Sequence, residues 1–91
     1  MKKLNVLLIS TLSGEGAEYV KHGLGLISAC LKQEGHTPLI LNNPKHTKKA
    51  LTDFQPHIVG IYGLSNSFQQ MLQCARTTRK FRPEIPIFAG G

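Results

Sequence analysis

No stretch of this 91-residue chain is apolar for long enough to cross a bilayer. The amino end, Met1-Lys2-Lys3-Leu4, sets basic residues before an apolar run, as a secretory leader does. That run is short and passes into Ser10, Thr11 and Gly14 with no cleavage pattern, so it reads as a first strand and the expectation is a cytoplasmic protein. Cysteine is scarce as well. Cys30 and Cys74 stand far apart, match no metal or redox spacing, and are each expected as a small buried hydrophobe. Their helices are expected on opposite faces of a sheet, which excludes a disulfide between them.

Groups that could do chemistry are few. His22, His36, His46 and His57 are scattered, and only His22 lies near the edge where a ligand is expected. Asp53 and Glu84 fall on other surfaces, and Glu15 and Glu18 share the first loop without a partner to tune them. Nothing forms a triad or a metal cluster. No catalytic residue and no metal ligand is assigned, and the chain reads as a binding module. Its formal charge of +6 suits an anionic ligand or nucleic acid. However, Lys45, Lys48, Lys49, Arg76, Arg79, Lys80 and Arg82 spread over helix faces and helix ends, where cations complement the helix dipole. With no aromatic residues interleaved and no base-reading motif, the charge does not point to nucleic acid.

The residues present spell alternating strands and helices. Residues 4–10 are apolar on both faces, as in a central strand of a parallel sheet. Residues 11–22 are polar and contain Gly14 and Gly16, so they predict a loop, with at most a helical turn near 15–20. The spacing of Leu24, Ile27 and Leu31, widened by Cys30, predicts a helix over 23–34 that closes at Gly35. Residues 37–42 read as a second strand, at an edge because Pro38 lacks a ladder donor. Asn43-Pro44 reads as a turn, and Thr47 as the cap of a short helix through Phe54. Ile58-Val59-Gly60-Ile61-Tyr62 is a third strand. Ser65 or Ser67 then caps a helix whose Phe68, Met71, Leu72 and Ala75 face the core, ended by Pro83. Residues 85–89 form a fourth strand before Gly90-Gly91.

The pattern β-α-β-α-β-α-β, with right-handed crossovers, predicts an α/β fold. The expected architecture is flavodoxin-like (Rossmann-like): a three-layer sandwich around a parallel sheet of strand order 2-1-3-4. Such sheets usually have five strands, so the chain reads as the N-terminal part of one domain, lacking the last strand and helices. The surface so exposed leads us to expect a homodimer or low solubility.

Ligands of open α/β sheets sit beyond the carboxyl ends of the strands. Those ends are residues 10–16, 42–44, 62–67 and 90–91, and three of the four are rich in glycine, hydroxyl and small residues. Phosphate-loop fingerprints fail: Gly14-x-Gly16 is followed by Tyr19 where a third glycine belongs, and no Lys-Ser/Thr phosphate loop exists. Residues 11–16 match the phosphate loop of flavodoxins loosely, which keeps a flavin-binding reading open.

Four segments, in order, carry a resemblance. The first strand, Asn5 to Ile9, is followed by His22-Gly23-Leu24 through Leu31 and then Gly35-His36-Thr37-Pro38. Next come Pro56-His57-Ile58-Val59-Gly60-Ile61-Tyr62, Ser65-Asn66-Ser67 and Phe68. The last is Phe81-Arg82-Pro83 with Ile85-Pro86-Ile87-Phe88-Ala89-Gly90-Gly91. Together they resemble the N-terminal cobalamin-binding domain of radical S-adenosylmethionine enzymes, over nearly the whole chain. The resemblance implies cobalamin at the carboxyl edge of the sheet, serving methyl transfer or another radical reaction. Thr11, Leu12, Ser13, Gly23 and Leu24 would lie near the corrin's lower face. The nucleotide tail would enter near Tyr62, Gly63, Leu64, Ser65, Asn66, Ser67, Gly90 and Gly91. S-adenosylmethionine and an iron–sulfur cluster would belong to a C-terminal catalytic domain of the same protein, since no cysteine triplet for a cluster stands in these residues.

The chain departs from the family frame in two places. Val20-x-His22-x-x-Gly25 has Val where the histidine-ligated members carry the orienting Asp, so His22 is not assigned to cobalt. Tyr62 stands where the family has a serine beside the tail. Beside the cobalamin module stands a second reading: a degenerate domain of the same fold, without cofactor, serving interaction.

Overall fold

A computed structural model describes residues 3–11, 17–63 and 67–90, the side chains of 17–22 excepted. Its elements are β1 (Asn5–Ser10), α1 (Ala17–Gln33), β2 (Thr37–Leu41), α2 (Thr47–Phe54), β3 (Ile58–Tyr62), α3 (Phe68–Phe81) and β4 (Ile87–Gly90), with a 3-10 turn at Pro44–His46. The four strands are all parallel and lie in the order β2-β1-β3-β4. The chain is an α/β protein with the strand order of a flavodoxin-like sheet. Pro38 sits on β2, opposite Val6 and at the sheet's edge, where a missing donor costs least.

β1 is central, and its alternating side chains feed two cores. Leu7 and Ile9 pack with Leu51 of α2, Val59 and Ile61 of β3, Cys74 of α3, and Ile85. Val6 and Leu8 point the other way, against Leu24 of α1. Each fully buried aliphatic side chain contributes roughly 1.5–3 kcal/mol. α1 thus covers one face, and α2 and α3 the other. The last strand lies at the far edge from β2, and Phe88 on it is 59% exposed.

α1 begins at Ala17, six residues before the start expected from the sequence, and carries Gly23 and Gly25 in its interior. A Cβ at either glycine would meet nothing within 4 Å, so neither is there for close packing. The helix runs through them because Leu24, Ser28 and Leu31 hold it to the sheet, and tertiary burial outweighs about 1 kcal/mol of propensity per glycine. Its end follows the sequence reading. Gly35 has φ +87°, its N–H donates to Lys32 O (3.0 Å), and the His36 N–H donates to Leu31 O (2.9 Å). This is a Schellman closure, which needs a left-handed residue at that position. Replacing Gly35 by Ala leaves the space free but strains the backbone, and is expected to cost about 1 kcal/mol in a denaturant melt.

Other differences have local causes. Thr47 opens α2 and does not cap it: its hydroxyl donates back to Pro44 O (2.6 Å), while Asn43 Oδ1 caps the preceding turn by accepting from Lys45 N (3.0 Å). Phe68 is 57% exposed, because the buried stripe of α3 runs through Cys74 and Thr78 with Met71 and Ala75 beside it. β4 starts at Ile87; Ile85 is buried in the turn before it. Cys30 is exposed, contrary to expectation, since it lies off the Leu24–Ser28–Leu31 stripe; Cys74 is buried as expected, and both thiols are free. No helix among the described residues is long and apolar enough to cross a membrane.

Candidate functional site at the carboxyl edge of the sheet

At the carboxyl ends of β1, β3 and β4 the backbone is stitched together by small residues. The Thr11 N–H donates to Tyr62 O (3.0 Å), and the Gly63 N–H donates to Gly90 O (3.1 Å). Thr11 Oγ1 bonds both Tyr62 O (3.1 Å) and Ser67 Oγ (3.0 Å). Thr11, Gly63 and Ser67 are buried. A Cβ at Gly63 would overlap Ser67 Oγ and Thr11 Oγ1 and lie 3.1 Å from Met71 Sδ. Glycine at this position is therefore what allows Thr11 at the end of β1 to meet Ser67 ahead of α3. Ser67 precedes α3 without a side-chain cap bond, because its hydroxyl is turned to Thr11.

Tyr62 is half-buried on the α1 side of the sheet and packs against the core of Val6, Leu8 and Leu24. Its ring lies across two glycines. A Cβ on Gly60 would stand 2.8 Å from Tyr62 Cε2, and one on Gly90 would stand 3.1 Å from Cε1. The bare backbones of Gly60 and Gly90 form a shallow groove, and the phenol ring fills it. Ser10, paired with Tyr62 in register, has a fully buried hydroxyl without a hydrogen-bond partner among the described residues.

The edge therefore brings together Thr11, Tyr62, Gly63, Ser67 and Gly90 of the residues assigned from the sequence. Leu12, Ser13, Leu64, Ser65, Asn66 and Gly91 lie outside the described residues. Gly23 and Leu24 are in the body of α1, and Leu24, only 1% exposed, belongs to the core rather than to a ligand surface. His36 and His57 lie at the opposite, amino edge. His36 Nδ1 accepts from Leu4 N (3.1 Å) and His57 Nδ1 from Asn5 N (2.9 Å), so both imidazoles pin the start of β1. Their role was not legible as sequence, because a histidine accepting from a neighbouring strand leaves no spacing signal.

On the other face, a cleft of about 850 Å³ opens between the end of β1, the 42–45 turn and α3, and Thr11 borders it. Sequence reasoning did not assign its Gln70, Gln73 and Arg76, which come together only through the packing of α3. Among its lining residues, burial pushes the Cys74 thiol up from its ordinary value, opposed by a hydrogen bond with Thr47. Among the described residues no three His, Cys, Asp or Glu side chains converge on a metal position. No protein-family model matches the chain, and no curated protein matches it.

Proposed function

We propose that the chain is the cobalamin-binding module of a radical S-adenosylmethionine enzyme, holding the cofactor over the carboxyl edge of its sheet. The observation that carries this reading is the hydrogen-bonded junction of Thr11, Gly63 and Ser67 at the point where strand order reverses between β1 and β3. Thr11, Gly63 and Ser67 are themselves buried, so a broad ligand face would rest on the rim of this junction, in the crevice such sheets use for binding. The four segments that resemble the family support it by falling on β1, on α1 and its glycine closure, on β3, and on the α3–β4 connection.

The fit to the cofactor is uneven along this edge. The junction suits a broad face, but the groove over Gly60 and Gly90 does not admit a nucleotide tail while the Tyr62 ring fills it. In this reading the tail stays outside the groove. When bound, cobalamin would supply a methyl carrier or a radical partner to a catalytic domain of the larger enzyme. Thr11, Gly63, Ser67 and Gly90 would hold it.

Equilibrium dialysis separates the readings. The cobalamin module takes up one hydroxocobalamin per folded chain, saturably, and no flavin mononucleotide. A flavodoxin-like protein gives the reverse, and a degenerate domain takes up neither.

A further inference from the structure

The cleft on the α2–α3 face is chemically one-sided. Its rim carries Lys45 and Arg76, and Asn42, Asn43, Gln70 and Gln73 add carboxamides; among the described residues no carboxylate lines it. The other cations on these helices are mostly engaged. Lys48 and Lys80 stand over the Phe81 ring, 4.9 and 5.8 Å from its centroid. Arg79 donates to Pro83 O (2.8 Å) and Ile85 O (2.7 Å), and Arg82 pairs with Glu84 (2.8 Å). Lys45 and Arg76 have no carboxylate partner among the described residues. Two cations beside a polar cleft raise the local concentration of anions.

The donor set narrows the ligand. Arg76 offers a planar fork and Lys45 a point charge, the pair of donors that phosphate oxygens take best. The carboxamide of Asn43 is oriented by its own turn, since its Oδ1 accepts from Lys45 N and its NH₂ is left to donate elsewhere. A volume of about 850 Å³ exceeds what one phosphate fills and falls within the range of small-molecule pockets.

We infer that this cleft binds a phosphate-bearing small molecule, with Lys45 and Arg76 on the phosphate and the carboxamides of Asn42, Asn43, Gln70 and Gln73 on the rest. The site lies on the opposite face from Tyr62 and does not rest on the cobalamin reading.

The test is a titration of the ¹⁵N-labelled 91-residue chain with inorganic pyrophosphate, followed by amide spectra. Saturable shifts are expected at Asn43, Lys45, Gln73 and Arg76. The double variant Lys45→Ala/Arg76→Ala is expected to bind at least tenfold more weakly with an otherwise unchanged spectrum, and Lys49→Ala to bind as the parent does. Non-saturating shifts spread over all surface lysines, or equal binding by the double variant, would overturn the proposal. So would an oligonucleotide that binds more than tenfold tighter than pyrophosphate with shifts extending along α2 and α3, which would assign the charge to nucleic acid.

Discussion

Replacing Gly63 by Ala is expected to destabilise the protein by about 1–3 kcal/mol, the usual cost of forcing one methyl into a packed position. The added Cβ would overlap the hydroxyls of Thr11 and Ser67 and press on Met71 Sδ. Neither hydroxyl can withdraw cheaply: Thr11 is tied to the Tyr62 carbonyl, and both are buried. For a domain of this size each kcal/mol lowers Tm by roughly 4–8 °C. Gly25→Ala supplies the contrast. That glycine sits mid-helix with nothing within 4 Å of a new Cβ, so alanine there is expected to stabilise by about 0.5–1 kcal/mol. Thermal melts of the two variants should move in opposite directions. If Gly63→Ala melts with the parent, the edge is looser than its hydrogen bonds imply and the close junction of Thr11, Gly63 and Ser67 is wrong.

Tyr62→Ser is expected to bind hydroxocobalamin at least tenfold more tightly than the parent chain. The ring covers the glycine backbones of β3 and β4, and removing it leaves a groove floored by Gly60 and Gly90 with the buried Ser10 hydroxyl beside it. A planar, polar-edged group such as a nucleotide base can then lie on bare backbone and offer hydrogen bonds. Cobinamide, which lacks the nucleotide, provides the control: its affinity should be the same for both proteins. The substitution also strips packing from the core of Val6, Leu8 and Leu24, so circular dichroism must first show the variant folded. Equal gains for both corrinoids, or no gain for either, would mean that the groove is not the path of the tail.

Much of this fold was legible because burial and chain punctuation agreed. β1 is apolar on both faces and became the central strand with a core on each side. Gly35 marked the end of α1 since only a left-handed residue closes a helix in that way. Pro38 marked an edge, and β2 is one. The misreadings share a physical cause, which is that local signals were outweighed by packing. Gly23 looked like a helix start, yet Leu24 is anchored so deeply that α1 extends six residues further toward the amino end. Phe68 looked like a core residue from its apolarity, but α3 rotates Cys74 and Thr78 inward and leaves that ring in solvent, while Phe81 is flanked by Lys48 and Lys80.

The candidate site was legible only as a place. The carboxyl edge follows from strand order, and Thr11, Gly63, Ser67 and Gly90 meet there. What Tyr62 does could not be read from its position in a motif, because the outcome depends on two glycines on neighbouring strands facing the same side of the sheet. The cleft beside Lys45 and Arg76 joins residues from the 42–45 turn and α3. No periodicity links those segments, and only the docking of α3 on α2 brings them together.

The most direct measurement of the proposed function is an amide spectrum of the labelled chain with and without hydroxocobalamin. Saturable shifts are expected at Thr11, Gly63, Ser67 and Gly90, with the amides of His36 and His57 at the amino edge unmoved. A spectrum of a folded chain that does not change, or shifts centred on the amino edge, would contradict it.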